Sequence, residues 1–305
     1  MTHRTGSGRA DDPRHFFDAY PRFVETSETG PWLDRLNARY VALIHENRAR
    51  IEGARVLDLA SHDGRFTFAA LQAGAQRVVG IEHDPRLVQA ATEHLSHYGI
   101  ARERYDFVAG DLFECIRRSG PCDVVFVFGI LYHVNDHMRL LAELAATDAR
   151  TMIFDTNVST MPGAVIELRA PIAGSPPPPG SQIEGWPTRT ALESMWSSFG
   201  WTYEFYDWRA SGMTDHAKLD DYAGERRLTA VVTSDYADIP AATRAQAVDA
   251  VRARQRDLPT QWFTITEVAT EFGMSPQALR TWVRRAEQLA SANDGVAPAR
   301  GDAVD

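Results

Sequence analysis

The fold is decided by residues 56–66, Val56-Leu57-Asp58-Leu59-Ala60-Ser61-His62-Asp63-Gly64-Arg65-Phe66. An apolar run stops at a carboxylate, turns through small and polar residues, and resumes as an apolar helix. The pattern reads as strand, tight loop and helix. Such a unit opens one nucleotide-binding half of a doubly wound α/β sheet, where ligands meet the loops at the carboxyl ends of the strands.

The charge of the loop narrows the ligand. A loop that closes on a pyrophosphate needs glycines, so that main-chain N–H groups can approach the phosphate oxygens. Here glycine is missing from two of the slots, and the loop carries Asp58 and Asp63. Two carboxylates repel a pyrophosphate and attract a cation. The pattern therefore favours a cofactor with an ammonium and a sulfonium and no phosphate, a description that S-adenosylmethionine meets.

Three further stretches follow. Val78-Val79-Gly80-Ile81-Glu82 is a second strand whose tip, Glu82, stands 24 positions beyond Asp58, where an acid can accept from ribose hydroxyls. Asp111 ends the short apolar run Phe107–Asp111 and can accept from an adenine amine. Asp123-Val124-Val125-Phe126-Val127-Phe128-Gly129-Ile130-Leu131-Tyr132-His133 reads as a buried strand opening into a polar tip.

In this order and spacing, the four stretches resemble the class I S-adenosylmethionine-dependent methyltransferases, over residues 15–236. The resemblance implies a Rossmann-like, doubly wound sheet of seven strands. It also implies that Asp58, Ala60, Ser61 and Gly64 face the methionine end of the cofactor and that Glu82 binds the ribose. Asp111 and Leu112 would bracket the adenine, and Phe128 and Gly129 would lie beside the transferable methyl. The chain departs from the family where Ala60 and His62 stand in two glycine slots. His62 is expected to give the loop a geometry of its own.

Composition sets outer bounds. A chain of 305 residues with 44 % apolar content can bury one large core, or one domain plus a small one. No apolar run approaches membrane-spanning length, and the first residues hold no apolar signal segment, so a cytoplasmic protein without a membrane partner is expected. Cys115 and Cys122 suit neither a disulfide framework nor a zinc site. Net charge is −9; residues 1–240 hold 24 basic and 33 acidic side chains, and residues 241–290 hold seven and five. An acidic surface disfavours a polyanionic substrate unless a local basic groove intervenes.

The remaining elements are read in chain order. Residues 1–14 and 291–305 are polar enough to be disordered. Residues 15–47 form an amphipathic segment that packs aromatic residues on the sheet, with Tyr20 and Trp32 as candidate lid residues. A helix from Pro85 carries His94 and His97 on its polar side, and a helix over 136–146 turns Met138, Leu140, Leu141 and Leu144 inward. The fifth strand, 151–157, ends at Asp155 on the same rim as His133. Residues 158–189 read as an insertion overhanging that rim, with a stiff polyproline stretch at 174–180. Thr190 and Glu193 have capping-box spacing. Residues 201–208 and 226–234 are the closing antiparallel strands, with 209–224 as a rim loop between them.

Methyl transfer requires positioning of the acceptor and removal of its proton. His133 is the candidate base, Tyr132 the candidate for orienting the acceptor, and Asp155 the candidate partner of His133 or of a cation. A divalent metal at Asp155 is an alternative that is not predicted. Gly129–His133 is similar to a family branch that holds tRNA wobble-uridine enzymes and sugar-hydroxyl methyltransferases. The acidic balance points to the second group, O-methylation of a small polar molecule such as a sugar or natural product, with a tRNA acceptor as the alternative.

Residues 241–290 are predicted to form a small all-α appendage. Thr264–Arg285 reads as helix, turn at Gly273, and second helix capped by Ser275 with Pro276 at its first position. It resembles the helix-turn-helix of insertion-sequence transposases. The resemblance implies that Gln277, Arg280, Arg284 and Arg285 meet DNA in the major groove; the competing and preferred reading is a helical appendage packed on the catalytic domain. A DNA-binding regulator with a ligand-sensing methyltransferase-like domain is the rival function.

Overall fold

Runs of branched and aromatic residues, each ended by an acid or glycine, become strands because such side chains fit a pleated, buried surface. The computed structural model describes residues 12–25, 32–171, 183–215, 217–255 and 260–294. Its strands are β1 (Arg55–Leu59), β2 (Arg77–Glu82), β3 (Tyr105–Ala109), β4 (Val124–Phe128), β5 (Thr151–Asn157), β6 (Ile166–Arg169), β7 (Glu184–Pro187), β8 (Thr202–Phe205) and β9 (Arg227–Thr233). Seven of them form one sheet in the order β3-β2-β1-β4-β5-β9-β8. β1 to β5 run parallel, and β9 enters antiparallel between β5 and β8. The expected doubly wound seven-stranded sheet is thus observed. Its order reverses between β1 and β4, which places the ligand crevice at the tips of those two strands.

Side chains alternate across the sheet. Leu57, Leu59, Val125 and Val127 join the core on one face. Val56, Val124, Phe126 and Phe128 join the core on the other. The second face is covered by the N-terminal segment, where Phe16 stacks on Tyr40 at 3.9 Å and Tyr20 meets Phe68 at 4.6 Å and Tyr98 at 5.1 Å. Tyr20, expected as a lid residue, is instead a packing residue. Trp32 is 43 % exposed, with the Lys218 ammonium 4.3 Å from its ring. Helix Leu33–Tyr40 widens into a π turn over Val41–His45.

Several local expectations are corrected. His94 is buried, its Nδ1 3.1 Å from the carbonyl oxygen of Asp63, because the helix Pro85–His97 lies against the loop after β1; His97 is exposed as expected. Met138 is exposed, since it lies in the first turn of helix His137–Ala145, away from the buried Leu140, Leu141 and Leu144. The helix after β7 is capped by Thr188, whose Oγ1 accepts from the N–H of Ala191, and Thr190 lies inside it. The region read as an irregular insertion contains the antiparallel arm β6–β7, which places Trp186 and Pro187 in a strand; the polyproline stretch lies outside the described residues. The segment expected as a polar rim loop, 209–224, holds helix Asp220–Ala223 and the buried Leu219 and Tyr222, which cluster with Trp208 before it.

The tail forms helices Ala241–Arg254, Gln261–Glu271 and Pro276–Asp294, with Gly273 at φ +65° in the turn. Its Val248, Val251, Val268, Leu279 and Trp282 share one apolar core with Leu140 and Leu144 of the sheet layer. Ser275 Oγ donates to the Ser198 carbonyl at 3.0 Å, and Arg285 donates to the Ala146 carbonyl. Gln277, Arg280, Arg284 and Arg285, the residues assigned to DNA, line a cleft facing helix His137–Ala145. That face borders the catalytic layer across the cleft, with Arg284 and Arg285 exposed. Among the described residues, no helix is long and apolar enough to cross a membrane.

Candidate active site

The loop after β1 holds three alternate residues in the left-handed region: Ala60 at φ 52°, His62 at φ 53° and Gly64 at φ 79°. For a residue with Cβ this costs about 1–2 kcal/mol. The conformation that glycine would supply is therefore kept at all three slots although two glycines are absent. Hydrogen bonds hold it: Ser61 N–H donates to the Ile81 carbonyl at 2.9 Å, and His62 N–H donates to Glu82 Oε2 at 2.9 Å. His62 thus changes the chemistry of the loop while its backbone stays left-handed.

The two loop carboxylates differ. Asp63 is paired with buried Arg65, whose Nε and Nη2 each approach a carboxylate oxygen to 2.7 Å. Against the upward push of burial, this guanidinium holds Asp63 below the ordinary carboxylate range. It does not face a cofactor cation as expected, because a buried charge this deep needs its own counter-ion. Asp58 has no such partner among the described residues; Thr67 Oγ1 donates to its Oδ2 at 2.7 Å, and burial, aided by Glu82, pushes its pKa up to about 7. A cation beside Asp58 would favour its charged form.

Ser61 Oγ is buried with no hydrogen-bond partner among the described residues. Gly80 makes room beside it: a Cβ there would lie 2.7 Å from Ser61 Oγ and 2.5 Å from Phe107 Cδ1. Glu82 ends β2 as expected, but Oε1 already accepts from the N–H groups of His83 and Asp84 at 2.7 and 3.1 Å. Only Oε2, shared with His62, retains capacity for a ribose hydroxyl. Asp111 is exposed and caps helix Leu112–Arg118 by accepting from the Glu114 N–H at 3.0 Å. Phe128 stacks on Phe126 at 4.7 Å and meets Phe66 at 5.1 Å. Gly129, at φ 74°, donates its N–H to the Asp155 carbonyl at 2.8 Å.

Beyond Gly129, a short 3₁₀ turn over Leu131–His133 brings Tyr132 and His133 to the rim. His133 Nδ1 lies 3.3 Å from Glu184 Oε1, and Trp186 Nε1 donates to Glu184 Oε2 at 2.8 Å. The approach is electrostatic: both Nδ1 and Oε1 are buried without a hydrogen-bond partner among the described residues. Burial lowers the His133 pKa below its ordinary value; Glu184 opposes this and Arg227 adds to it. The Tyr132 ring stands 4.2 Å from that of His133 and 5.8 Å from that of Trp186.

Asp155 is not the partner of His133. It is fully buried and accepts from Arg227 Nε at 2.5 Å, Tyr222 Oη at 2.7 Å, Thr229 Oγ1 at 3.0 Å and Arg39 Nη2 at 3.2 Å. Arg227 and Arg39 hold it ionised against the upward push of burial, with its pKa lowered to about 2. A carboxylate so engaged is not available to a metal. Sequence reading missed Glu184, Arg39 and Arg227. The one signal for Arg227 is a cation opening a mostly apolar strand, and Glu184 carries none; among the described residues β7 pairs with β6 alone.

Asp58, the unpartnered Ser61 Oγ, Glu82 and the glycine-lined tips of β1 and β4 fit a zwitterionic sulfonium nucleoside. Comparisons with known proteins agree on the domain. The methyltransferase-domain family matches residues 56–147. The Methanocaldococcus jannaschii protein named "Putative ribosomal RNA large subunit methyltransferase MJ1653" is 34 % identical over 109 residues, covering 33 % of this chain and 26 % of the relative. Ribosomal RNA large subunit methyltransferase I of Yersinia pseudotuberculosis is 28 % identical over 90 residues, 30 % of this chain and 22 % of its own. The chain thus spans about a quarter of the length of these curated relatives. Among solved structures, the N-terminal domain of EvdMO1 with SAH bound is similar at 21 % identity and TM-score 0.47, over 65 % of this chain and 78 % of that one. Residues 56–147 thus match a methyltransferase domain.

Proposed function

We propose that this protein is an S-adenosylmethionine-dependent methyltransferase that methylates a hydroxyl group of a small polar molecule, with His133 as general base and Glu184 as its positioning partner. The observation that carries the reading is the 3.3 Å approach of Glu184 Oε1 to His133 Nδ1 at the tip of β4. A carboxylate there favours the tautomer with hydrogen on Nδ1, which leaves Nε2 to accept a proton. An alcohol gives up its proton reluctantly, so a hydroxyl acceptor has use for such a base. When bound, the cofactor supplies a methyl already activated by the sulfonium. Tyr132 and Trp186, packed around His133, limit water and orient the acceptor. Asp58 and Ser61 face the cofactor's methionine end and Glu82 its ribose. Asp111 and Leu112 flank the adenine, and Gly129 leaves the methyl uncovered.

A ribosomal RNA acceptor is a second reading, supported by the names of the curated relatives. The acidic balance of −9 supports the small-molecule acceptor.

Calorimetric titration of S-adenosylmethionine and S-adenosylhomocysteine into the full chain tests the cofactor site. Micromolar binding lost in Asp58→Ala supports the assignment; equal affinity in that variant refutes it. Screening sugars, polyhydroxylated small molecules and ribosomal RNA for methyl incorporation then separates the two acceptors.

A further inference from the structure

A second cleft, of about 720 Å³, lies between helix His137–Ala145 and the tail helix Pro276–Asp294. Arg117 and Arg139 stand on its catalytic-domain wall, and Arg280, Arg284 and Arg285 on its tail wall. Asp136 and Glu143 are the carboxylates in its lining. In a chain of net charge −9, five guanidiniums facing one another across a gap form a concentrated positive field.

Glu143 is the one carboxylate among the described residues that Arg117, Arg139 and Arg285 share, so the cations outnumber it. Arg139 lies over the Phe113 ring at 3.9 Å and Arg280 over the Trp262 ring at 5.4 Å. Arg117 reaches Glu143 only at 4.0 Å. Among the described residues, no carboxylate is within ion-pair distance of Arg139, Arg280 or Arg284. Arg280 and Arg284 are one helical turn apart, a spacing at which like charges repel. Burial, with Arg284 beside it, lowers the Arg280 pKa from its ordinary value. Such repulsion is relieved by an anion, and planar guanidiniums match phosphate oxygens in pairs.

We infer that the cleft between helices His137–Ala145 and Pro276–Asp294 binds a compact polyphosphate group, of the size found in a nucleoside di- or triphosphate. The volume lies within the roughly 300–1,000 Å³ of small-ligand sites. Cations on two facing walls enclose a compact anion, whereas a backbone-tracking surface lays them along one open face. The site is separate from the methyl-transfer rim and joins the tail to the catalytic layer, so an anion bound there stabilises that junction.

Titration of tripolyphosphate into the full chain, followed by calorimetry, tests the inference, with a short single-stranded RNA of mixed sequence as the second probe. One-to-one binding of tripolyphosphate is expected. Its affinity should fall by roughly tenfold or more in the double variant Arg280→Gln, Arg284→Gln and also in Arg139→Gln on the opposite wall, the loss of a charge-assisted contact in each case. Equal S-adenosylhomocysteine affinity in parent and variants shows that they fold. If the parent does not bind S-adenosylhomocysteine, the methyltransferase reading fails, and matching melting temperatures of parent and variants then certify the fold. Absence of tripolyphosphate binding overturns the inference, as does binding that both variants leave unchanged. Tight RNA binding with tripolyphosphate excluded overturns it in favour of an extended nucleic-acid surface.

Discussion

The N–H of His62 donates to Oε2 of Glu82 at 2.9 Å, so the loop that ends β1 is held by the residue that ends β2. One carboxylate thereby sets the position of two loops, because its other oxygen accepts from His83 and Asp84. Hydrogen bonds to a charged group contribute about 1.5–3 kcal/mol. Glu82→Gln, which loses the charge and one acceptor oxygen, is expected to lower stability by roughly 1–3 kcal/mol and S-adenosylhomocysteine affinity by at least tenfold. Urea unfolding and calorimetry on the same preparation measure the two effects; a variant that binds as tightly as the parent removes Glu82 from the cofactor site.

His62→Gly tests the strain in that loop. With φ at 53°, replacement by glycine relieves roughly 1 kcal/mol of left-handed cost, partly offset by the greater freedom of glycine in the unfolded chain. The expected result is a melting temperature at or slightly above that of the parent, with cofactor affinity retained. A large drop would show that the imidazole, which lies 3.5 Å from Asp63 Oδ1, holds the loop through its side chain.

At the rim, His133→Ala is expected to lower kcat by roughly 10²-fold or more with cofactor affinity unchanged, the usual contribution of a general base. Glu184→Gln keeps the shape of the positioning residue and should lower kcat less. It should also move the acid limb of the pH–rate profile, which a purely structural role would leave in place. An unaltered profile in Glu184→Gln would sink the pairing.

The pH dependence of the parent follows from the same site. His133 must be neutral to accept a proton, and burial lowers its pKa below 6.5. Activity should therefore be level through neutrality and fall only on the acid side of the ordinary imidazole range, where the imidazole charges. A profile of kcat against pH whose acid limb lies above 7 would contradict this environment.

Asp155 anchors the wall behind the rim. Its removal in Asp155→Asn leaves Arg39 and Arg227 without their carboxylate, which costs about 3–5 kcal/mol for a buried pair. Because its pKa is lowered from 3.8 to about 2, its contribution is complete above pH 4 and is lost as pH falls through about 2. The acid-unfolding midpoint of the parent should thus lie at lower pH than that of Asp155→Asn. Coincident midpoints would mean that the arginines find other partners.

What could be read from the chain alone was the sheet and its tips. Apolar runs such as Val124–Phe128 ended by an acid or glycine have one stable use, as buried parallel strands with ligand-facing ends, and this periodicity is local. Asp58, Glu82, Gly129 and His133 were placed at those tips by the same local pattern. Partnerships depend on elements distant in sequence. Glu184 reaches His133 because the arm β6–β7 folds back over β4. His94 meets the Asp63 carbonyl because its helix crosses the loop, and Arg39 and Arg227 converge on Asp155 from a helix and a strand 188 positions apart. The basic face of Pro276–Asp294 is a legible row of arginines, but whether it meets solvent or the catalytic layer depends on where Leu279 and Trp282 find a core to bury in. Local patterning determined the strands and their ends; long-range burial, which makes every buried charge seek a partner, decided which side chains face one another.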